Sequence, residues 1–403
     1  MSESRILEPA PKPALLFYCQ HALGLGHLVR SLALADALAA EFDVVLLNGG
    51  RFPDGTAVPA GVRVVNLPPL GHDPNFQLVS HDEQWTVEEA MQIRRATILR
   101  ELVDTAPVVV LVELFPFGRK KFEFELIPLL DAVHAMGAGR PRVVCSVRDI
   151  LVGDRPDQEA HDERASTMAN RYFDAILVHA DPQFARLEET FKPATPLAVP
   201  VHYTGFVTND STPIVVPDAE RVRRVLVSAG GGMVGGPLFR VVVEAHRRWH
   251  AEAGLETLAL AGPFAPDAEW AWLQEQAATL DGFTAVKYLP DLRVEMARSA
   301  VTVSQVGYNT TMDILRAKVP AVVIPYAEGR EDEQRHRGRR LDGLGVVHCV
   351  DPDDLDVQHL ADAVLAAATS TPASVTLDLT GRDTSARMIA ELCRLGSPIG
   401  AGA

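Results

Sequence analysis

The chain has 403 residues, 47% of them hydrophobic and 23% charged, a balance that excludes a disordered or fibrous protein. Its formal net charge of −15 argues against a general nucleic-acid binder, because neutralising phosphates takes clustered Lys and Arg. Phosphorylated ligands stay open, since backbone amides at a local site can meet them.

Short β-rich apolar runs alternate with helical patterns almost from end to end. The first half offers strands at Ala14–Cys19, Val44–Asn48, Val62–Leu67, Val108–Glu113, Val143–Val147 and Ala175–Val178. Between them, Leu28–Glu41, Trp85–Val103 and Leu126–Met136 read as helices; Leu28, Leu32, Ala35 and Leu38 fall at helical spacing. Residues 200–222 break the pattern with Pro, Thr and Asp, and read as a linker. A second series follows, with strands at Val225–Ser228, Thr257–Ala261, Thr284–Tyr288, Val301–Ser304, Ala321–Pro325 and Val347–Val350, and helices at Leu238–Ala251, Trp270–Leu280 and Thr310–Lys318. Fully apolar strands alternating with helices predict two α/β domains, each a mainly parallel, doubly wound sheet. There is no short-period repeat.

The N-terminus MSESRILEPAPKP lacks the apolar core of a signal peptide, and no apolar stretch reaches the roughly 18 residues of a membrane span. Of the four cysteines, Cys19, Cys145 and Cys349 lie in or beside apolar runs and none forms a C-x-x-C pair with another or with Cys393. Free thiols in a reducing compartment follow, hence a cytoplasmic protein, with contact to a membrane surface left open. Histidines without metal-ligand spacing predict no zinc site.

Open α/β sheets bind ligands at the carboxyl ends of their strands, and four such ends stand out. After the first strand comes Gln20-His21-Ala22-Leu23-Gly24-Leu25-Gly26-His27, a glycine turn before a helix. It is either an anion-binding loop or a packing turn; it lacks the G-x-G-x-x-G spacing of a dinucleotide site. His27 is a candidate general base, its ordinary pKa lying near neutrality. The second end is Gly230-Gly231-Gly232-Met233-Val234-Gly235-Gly236, which carries more glycine than a turn needs and reads as a phosphate or substrate loop without the Lys-Ser/Thr of a P-loop. The third is Gly307-Tyr308-Asn309-Thr310-Thr311-Met312-Asp313, where Asn309 is an N-cap candidate and Thr310 and Asp313 fall three apart on the first turn. A diphosphate on those amides with Asp313 on a ribose diol is one reading; a capped, charged helix end is the other. The fourth is the polar run Tyr326 to Gln334, suited to sugar hydroxyls or simply solvated. The stretch from Glu113 to Lys121 reads either as an acceptor wall, with Phe115 and Arg119 exposed, or as a buried Phe115/Phe117 pair beside solvated cations. Asp351-Pro352-Asp353 has D-x-D spacing but reads as a helix cap.

Together these motifs resemble the GT-B glycosyltransferases, and within them family 28, which includes the peptidoglycan lipid-intermediate GlcNAc transferase; the chain is similar to a bacterial branch of that set. The likeness spans roughly residues 14–370 and is strongest from Tyr288 to Gly345. There, Tyr288-Leu289-Pro290-Asp291-Leu292 is similar to the family's nucleobase segment, and Gly307, Thr310 and Asp313 to its diphosphate and ribose motif. Glu333-Gln334 is similar to its sugar-contacting pair. Gly24-Leu25-Gly26-His27 resembles its first glycine loop, and Thr204-Gly205 its domain junction. The chain departs at Val306, where the family often has Ser, at Asp313, where it often has Glu, and at Val207-Thr208-Asn209, where an Arg is common.

The resemblance implies two Rossmann-like domains facing across a cleft: residues 1–207 on the acceptor side, a linker at 208–222, and a nucleotide-sugar donor domain at 223–395. It implies inverting transfer from a nucleotide sugar, most readily a UDP-sugar, to a small-molecule or lipid-linked acceptor, with no resident cofactor and no metal. The diphosphate would meet helix N-termini and the amides of Gly230, Gly231 and Gly232. Leu289, Gly307, Asn309, Thr310, Asp313, Glu333 and Gln334 would complete the donor site, and Gly24, Gly26, Phe115 and Arg119 the acceptor side. His27 is the first candidate base, with Glu113 and Asp149 behind it. The same fold also serves nucleotide-sugar 2-epimerases and hydrolases, and a non-catalytic nucleotide-sugar binder would carry the same loops.

Overall fold

The computed structural model describes residues 11–21, 26–53, 55–73, 77–153, 155–209, 214, 216–217, 220–232, 234–289, 291–326 and 332–396. In chain order the first half gives β1 (Ala14–Cys19), α1 (Gly26–Leu38), β2 (Asp43–Asn48), β3 (Val62–Asn66), β4 (Leu70–His72), β5 (Leu78–Ser80), α2 (Val87–Thr105) and β6 (Val109–Glu113). It continues with α3 (Glu123–Ala135), β7 (Arg142–Arg148), α4 (Gln158–Tyr172), β8 (Ala175–His179), α5 (Leu187–Thr190) and β9 (Val201–Tyr203). The second half gives β10 (Val222–Ser228), α6 (Gly236–Ala253), β11 (Glu256–Leu260), α7 (Asp267–Thr279), β12 (Phe283–Val286), α8 (Leu292–Arg298) and β13 (Ser299–Ser304). Last come α9 (Tyr308–Ala317), β14 (Ala321–Val323), α10 (Glu333–Gly343), β15 (His348–Cys349), α11 (Val357–Ala368) and α12 (Gly381–Gly396).

The strands form two parallel sheets, in order β3-β2-β1-β6-β7-β8-β9 and β12-β11-β10-β13-β14-β15, with β4 and β5 as a small antiparallel pair. The strands at the centre of each sheet are apolar on both faces because helices cover both: β6 is buried along its whole length. In each sheet the order reverses once, between β1 and β6 and between β10 and β13. A crevice opens at the carboxyl ends of strands at such a reversal. Glu113 closes β6 in the first crevice, and the glycine turn after Ser228 and the Gly307 turn after Ser304 flank the second.

Helix boundaries follow local chemistry. Thr86 caps α2 reciprocally with Glu89, its hydroxyl taking the Glu89 amide at 3.2 Å while the Glu89 carboxylate takes the Thr86 amide at 3.0 Å. Helix α3 begins at Glu123, three residues ahead of the sequence expectation, because a short 3-10 turn at Lys120–Phe122 leads into it. No helix among the described residues is long and apolar enough to cross a membrane.

The sequence places residues up to 395 in the second domain, but the last helix lies elsewhere. Helix α12 packs on α1, and its Ala386, Ile389 and Ala390 join the apolar cluster of β1, α1 and β2. The approach to it is tied down by backbone bonds: Phe206 N–H donates to Asp378 O at 2.7 Å and Gly381 N–H to Phe206 O at 3.0 Å. Gly381 has no room for a side chain, since a Cβ there would stand 2.1 Å from Gly205 O. The main apolar cluster also crosses the domains, joining Phe206 and Phe184 to Val306, Tyr308 and Leu341.

Candidate functional site

His27 opens the first turn of α1, and Arg30 follows one turn later on the same face. Both reach a single atom of Glu113 at the end of β6: His27 Nδ1 lies 2.6 Å and Arg30 Nη2 2.5 Å from Oε1. Arg119 reaches the other oxygen at 3.3 Å. Burial works to raise the Glu113 carboxyl, but His27, Arg119 and Arg30 outweigh it and hold it below the usual carboxylate range. Burial pushes His27 down to about 3, against the pull of Glu113, so its imidazole is neutral at physiological pH. Its side chain keeps 21% of its surface open. With Nδ1 held by a carboxylate, Nε2 is the nitrogen available to a substrate hydroxyl.

The loop after β6 turns sharply, with Leu114 at φ 65° and Arg119 at φ 62°. Left-handed backbone at residues other than glycine is strained, and here it brings Arg119 back over the strand end. Phe115 is fully buried and packs on Phe173 at 6.5 Å between ring centres, and Phe117 packs on Phe191 at 4.9 Å. Phe115 is therefore core and not an acceptor wall: an apolar ring beside a crowded strand end is more stable inside. Arg119 belongs to the Glu113 cluster instead.

Asp149, the third candidate base, is out of play. Both its oxygens face Arg337 of α10, at 2.8 Å from Nε and from Nη2, and neither side chain has any exposure. Burial alone would raise the Asp149 carboxyl; the guanidinium, with Arg148 and the Ile150 amide, holds it low. This pair joins the two domains. Around it, Arg148 pairs with Glu333 and Arg340 with Glu189. Glu333 is thus an interdomain partner of Arg148 and 6% exposed, which corrects its assignment to a sugar hydroxyl.

In the second crevice Gly307, at φ −60° and ψ 160°, is the N-cap of α9, where the sequence reading expects Asn309. The first amides of the helix, which follows β13, have no acceptor within it. Asn309 reaches across, its Nδ2 donating to Gly26 O at 3.3 Å. Thr310 and Asp313 follow on the first turns. Gly24 lies outside the described residues; Gly26 is exposed at the start of α1. Burial lifts Asp313 to about 7, against Arg293 and Arg316. It lines a cavity of about 50 Å³ with Arg30, Asn209, Asn309 and Arg316, between α1 and α9.

The glycine loop follows β10, the neighbour of β13 in the sheet. Gly230 and Gly232 have φ of +61° and +92°, and a Cβ on Gly232 would stand 2.3 Å from Ala261 O, so glycine is required there. A Cβ on Gly230 would meet nothing within 4 Å, and one on Gly231 only Phe264 at 3.6 Å, so this side of the loop is open. Gln305 Nε2 donates to Val234 O at 3.4 Å and ties the two turns together. Gln334 Oε1 is taken by the amides of Val306 and Tyr326 at 3.1 and 3.0 Å, which leaves its NH2 group as the part suited to a sugar oxygen. Leu289 is half-buried next to Asp291, which caps α8. Asp351 caps the 3-10 turn Pro352–Asp354 and pairs with Arg335 and Arg339, as the cap reading required.

Sequence reasoning missed Arg30, Tyr308 and the Asp149–Arg337 pair. Arg30 could have been found from the three-residue step after His27; the other two join parts of the chain with no local signal.

Residues 227–378 match the glycosyltransferase family 28 C-terminal domain. A curated relative, the UDP-N-acetylglucosamine–N-acetylmuramyl-(pentapeptide) pyrophosphoryl-undecaprenol N-acetylglucosamine transferase of Methylobacterium radiotolerans, is 31% identical over 100 residues. That match spans 25% of this chain and 27% of the relative's length. Among solved structures, the calicheamicin glycosyltransferase CalG4 superposes with a TM-score of 0.58 at 18% identity, covering 96% of both chains. Acinetobacter baumannii MurG gives 0.55 at 13%, covering 94% of this chain and 100% of its own. The spinosyn rhamnosyltransferase SpnG complexed with thymidine diphosphate gives 0.53 at 18%, covering 95% and 96%. The two reversed parallel sheets and the likeness to these solved structures give the chain the GT-B fold, and residues 227–378 match the family 28 C-terminal domain.

Proposed function

We propose that the chain transfers a sugar from a nucleotide-diphosphate donor, in the first instance a UDP-sugar, to a hydroxyl of a small-molecule or lipid-linked acceptor, with inversion and without a metal ion. The observation that carries this reading is the His27–Glu113 pair at the reversal point of the first sheet, facing the N-terminus of α9 with Asn309 in contact with Gly26. His27 Nε2 takes the acceptor's hydroxyl proton while that oxygen attacks the anomeric carbon. The bond from that carbon to the β-phosphate oxygen breaks, and the nucleoside diphosphate leaves with the electron pair. Its charge falls on the α9 amides and on the Gly231 amide, dipoles fixed before the reaction begins, while the amides of Gly230 and Gly232 already donate to Ser228 Oγ and Ala229 O. Asp313 accepts from the ribose hydroxyls, Leu289 packs by the base, and Gln334 donates to the sugar. Glu113 keeps His27 in one tautomer and balances the imidazolium that forms.

The relatives' names include UDP-N-acetylglucosamine and thymidine diphosphate, so the nucleobase is the first thing to fix. A thermal-shift series with UDP, GDP, dTDP, CMP and ADP and their common sugars reads binding to the native state directly. Stabilisation by one nucleotide, lost in Asp313→Ala, supports the donor site and names the base. A folded protein that responds to none of them overturns the transferase reading. Once an acceptor is found, turnover undiminished by EDTA tests the metal-free step.

A further inference from the structure

Tyr308 belongs to the second domain by sequence but is seated in the first. It is the first residue of α9 and 7% exposed. Its hydroxyl donates to His179 O at 3.1 Å and accepts from the Val207 amide at 2.8 Å. Its ring packs on Phe206, centroids 5.9 Å apart. Against the same ring stands Arg30, its guanidinium carbon 5.3 Å from the centroid. Arg30 is 2% exposed, and its Nε has no hydrogen-bond partner among the described residues. Among the described residues two contacts therefore hold the guanidinium in place: the Tyr308 face and Glu113 Oε1, the oxygen that also holds His27. An arginine over an aromatic face, away from water, is attracted by the ring's negative centre.

We propose that Tyr308 is a positioning residue for the proton acceptor: by seating the second domain in a socket of the first, it holds Arg30 on Glu113 and so sets the Glu113–His27 pair. Tyr308 is also the chain neighbour of Gly307 and Asn309, so the turn that would receive the donor diphosphate and the peg that sets the base are one rigid unit. Donor capture and base geometry are thereby coupled through a single residue. The inference rests on the role given above to His27, but its test needs no substrate.

His27 faces Glu113 from β6, Arg119 from the following loop, Cys19 from β1 and Arg30 on its own helix. Without the Tyr308 ring, Arg30 is free to hydrate, a positive charge leaves the histidine and water enters beside it. Both changes raise the His27 pKa towards its ordinary value. The experiment is a carbon-detected NMR titration of the His27 imidazole in the full chain, with circular dichroism and thermal melting as checks of folding. In wild type and in Tyr308→Phe, which keeps the ring, His27 stays neutral from about pH 5 to 8. In Tyr308→Leu an inflection enters that window, a rise of at least about two pH units. Arg30→Met reads the same contact from the other side, leaves the socket intact, and gives a similar rise. The double variant gives no more than either single one. A folded Tyr308→Leu that titrates like wild type, Tyr308→Phe shifting as much as Tyr308→Leu, or shifts that simply add would each overturn the proposal. If the titrations behave as expected but His27→Ala keeps full turnover, the base assignment falls and the coupling stands.

Discussion

Replacing Asp149 by Ala isolates the most buried charge contact between the domains. Arg337 would lose both of its 2.8 Å carboxylate bonds and keep the Val306 carbonyl at 2.9 Å, with no exposed surface through which to hydrate. Breaking a fully buried pair by removing one partner costs about 3–5 kcal/mol, because a lone charge is left in a low dielectric. For a domain of 150–250 residues that is a fall in Tm of about 6–20 °C, at ~2–4 °C per kcal/mol. Removing both charges is different. Asp149→Leu combined with Arg337→Met fills the volume with apolar groups and should cost less than either single change. Urea unfolding followed by tryptophan fluorescence gives the free energies, and three of the four tryptophans, Trp249, Trp270 and Trp272, report on the second domain. The protein also has a second way to relieve the lone arginine, by parting the domains until water reaches it. Small-angle scattering detects that route as a larger radius of gyration. Single variants that lose less than about 1 kcal/mol and keep the wild-type radius would refute the argument, since a buried unpaired charge would then be tolerated without compensation.

Four further outcomes follow from the site. His27→Ala should lower turnover about 10²–10⁴-fold while nucleotide stabilisation persists, and the wild-type kcat at saturating donor should stay flat from about pH 5 to 8, because a histidine held at about 3 is already neutral there. His179 is also pushed down to about 3 by burial, so below 6.5 the unfolded chain binds protons that the native one refuses. Stability then falls as the pH drops from 6.5 towards 3, by about 1.4 kcal/mol per pH unit for each such histidine, and His179→Gln should flatten that slope in urea titrations. Asp313, lifted to about 7, is ionised only above that value; the thermal shift caused by nucleotide should grow from pH 6 to 8 and lose this dependence in Asp313→Asn. Gly232→Ala forces a left-handed residue against a carbonyl and should destabilise the second domain by about 2 kcal/mol or more and abolish nucleotide stabilisation, read by melting with and without UDP.

Much of this was legible in the chain. The alternation of apolar strands with helices located both sheets, because strands covered on both faces leave uninterrupted Val, Ile and Leu. The glycine turns marked the strand ends, since only glycine accepts the backbone that Gly232 adopts. His27 and Glu113 could each be singled out as a polar residue at a strand end. Their contact could not, for it depends on β1 and β6 lying side by side across 86 positions of sequence. Phe115 shows the opposite limit: aromatic residues beside cations look like a wall, and only the turn at Leu114 decides that the ring goes inward. Asp149 and Glu333 read as site carboxylates because the arginines that consume them, Arg337 and Arg148, come from the facing domain. The destination of α12 was hidden for the same reason, as an amphipathic helix announces an apolar face but not the surface it will cover.

That last helix bears on how the protein is made. Arg382 pairs with Asp36 across 346 positions, and Ala386, Ile389 and Ala390 close a core begun by β1. During synthesis the first domain emerges early but keeps the face of α1 that meets α12 uncovered until α12 has left the ribosome. Folding therefore cannot finish domain by domain in the usual order from the N-terminus. Until then the nascent chain exposes the apolar face of α1 that Ala386, Ile389 and Ala390 cover in the folded protein. The core of the first domain is thus complete only once α12 has docked on α1.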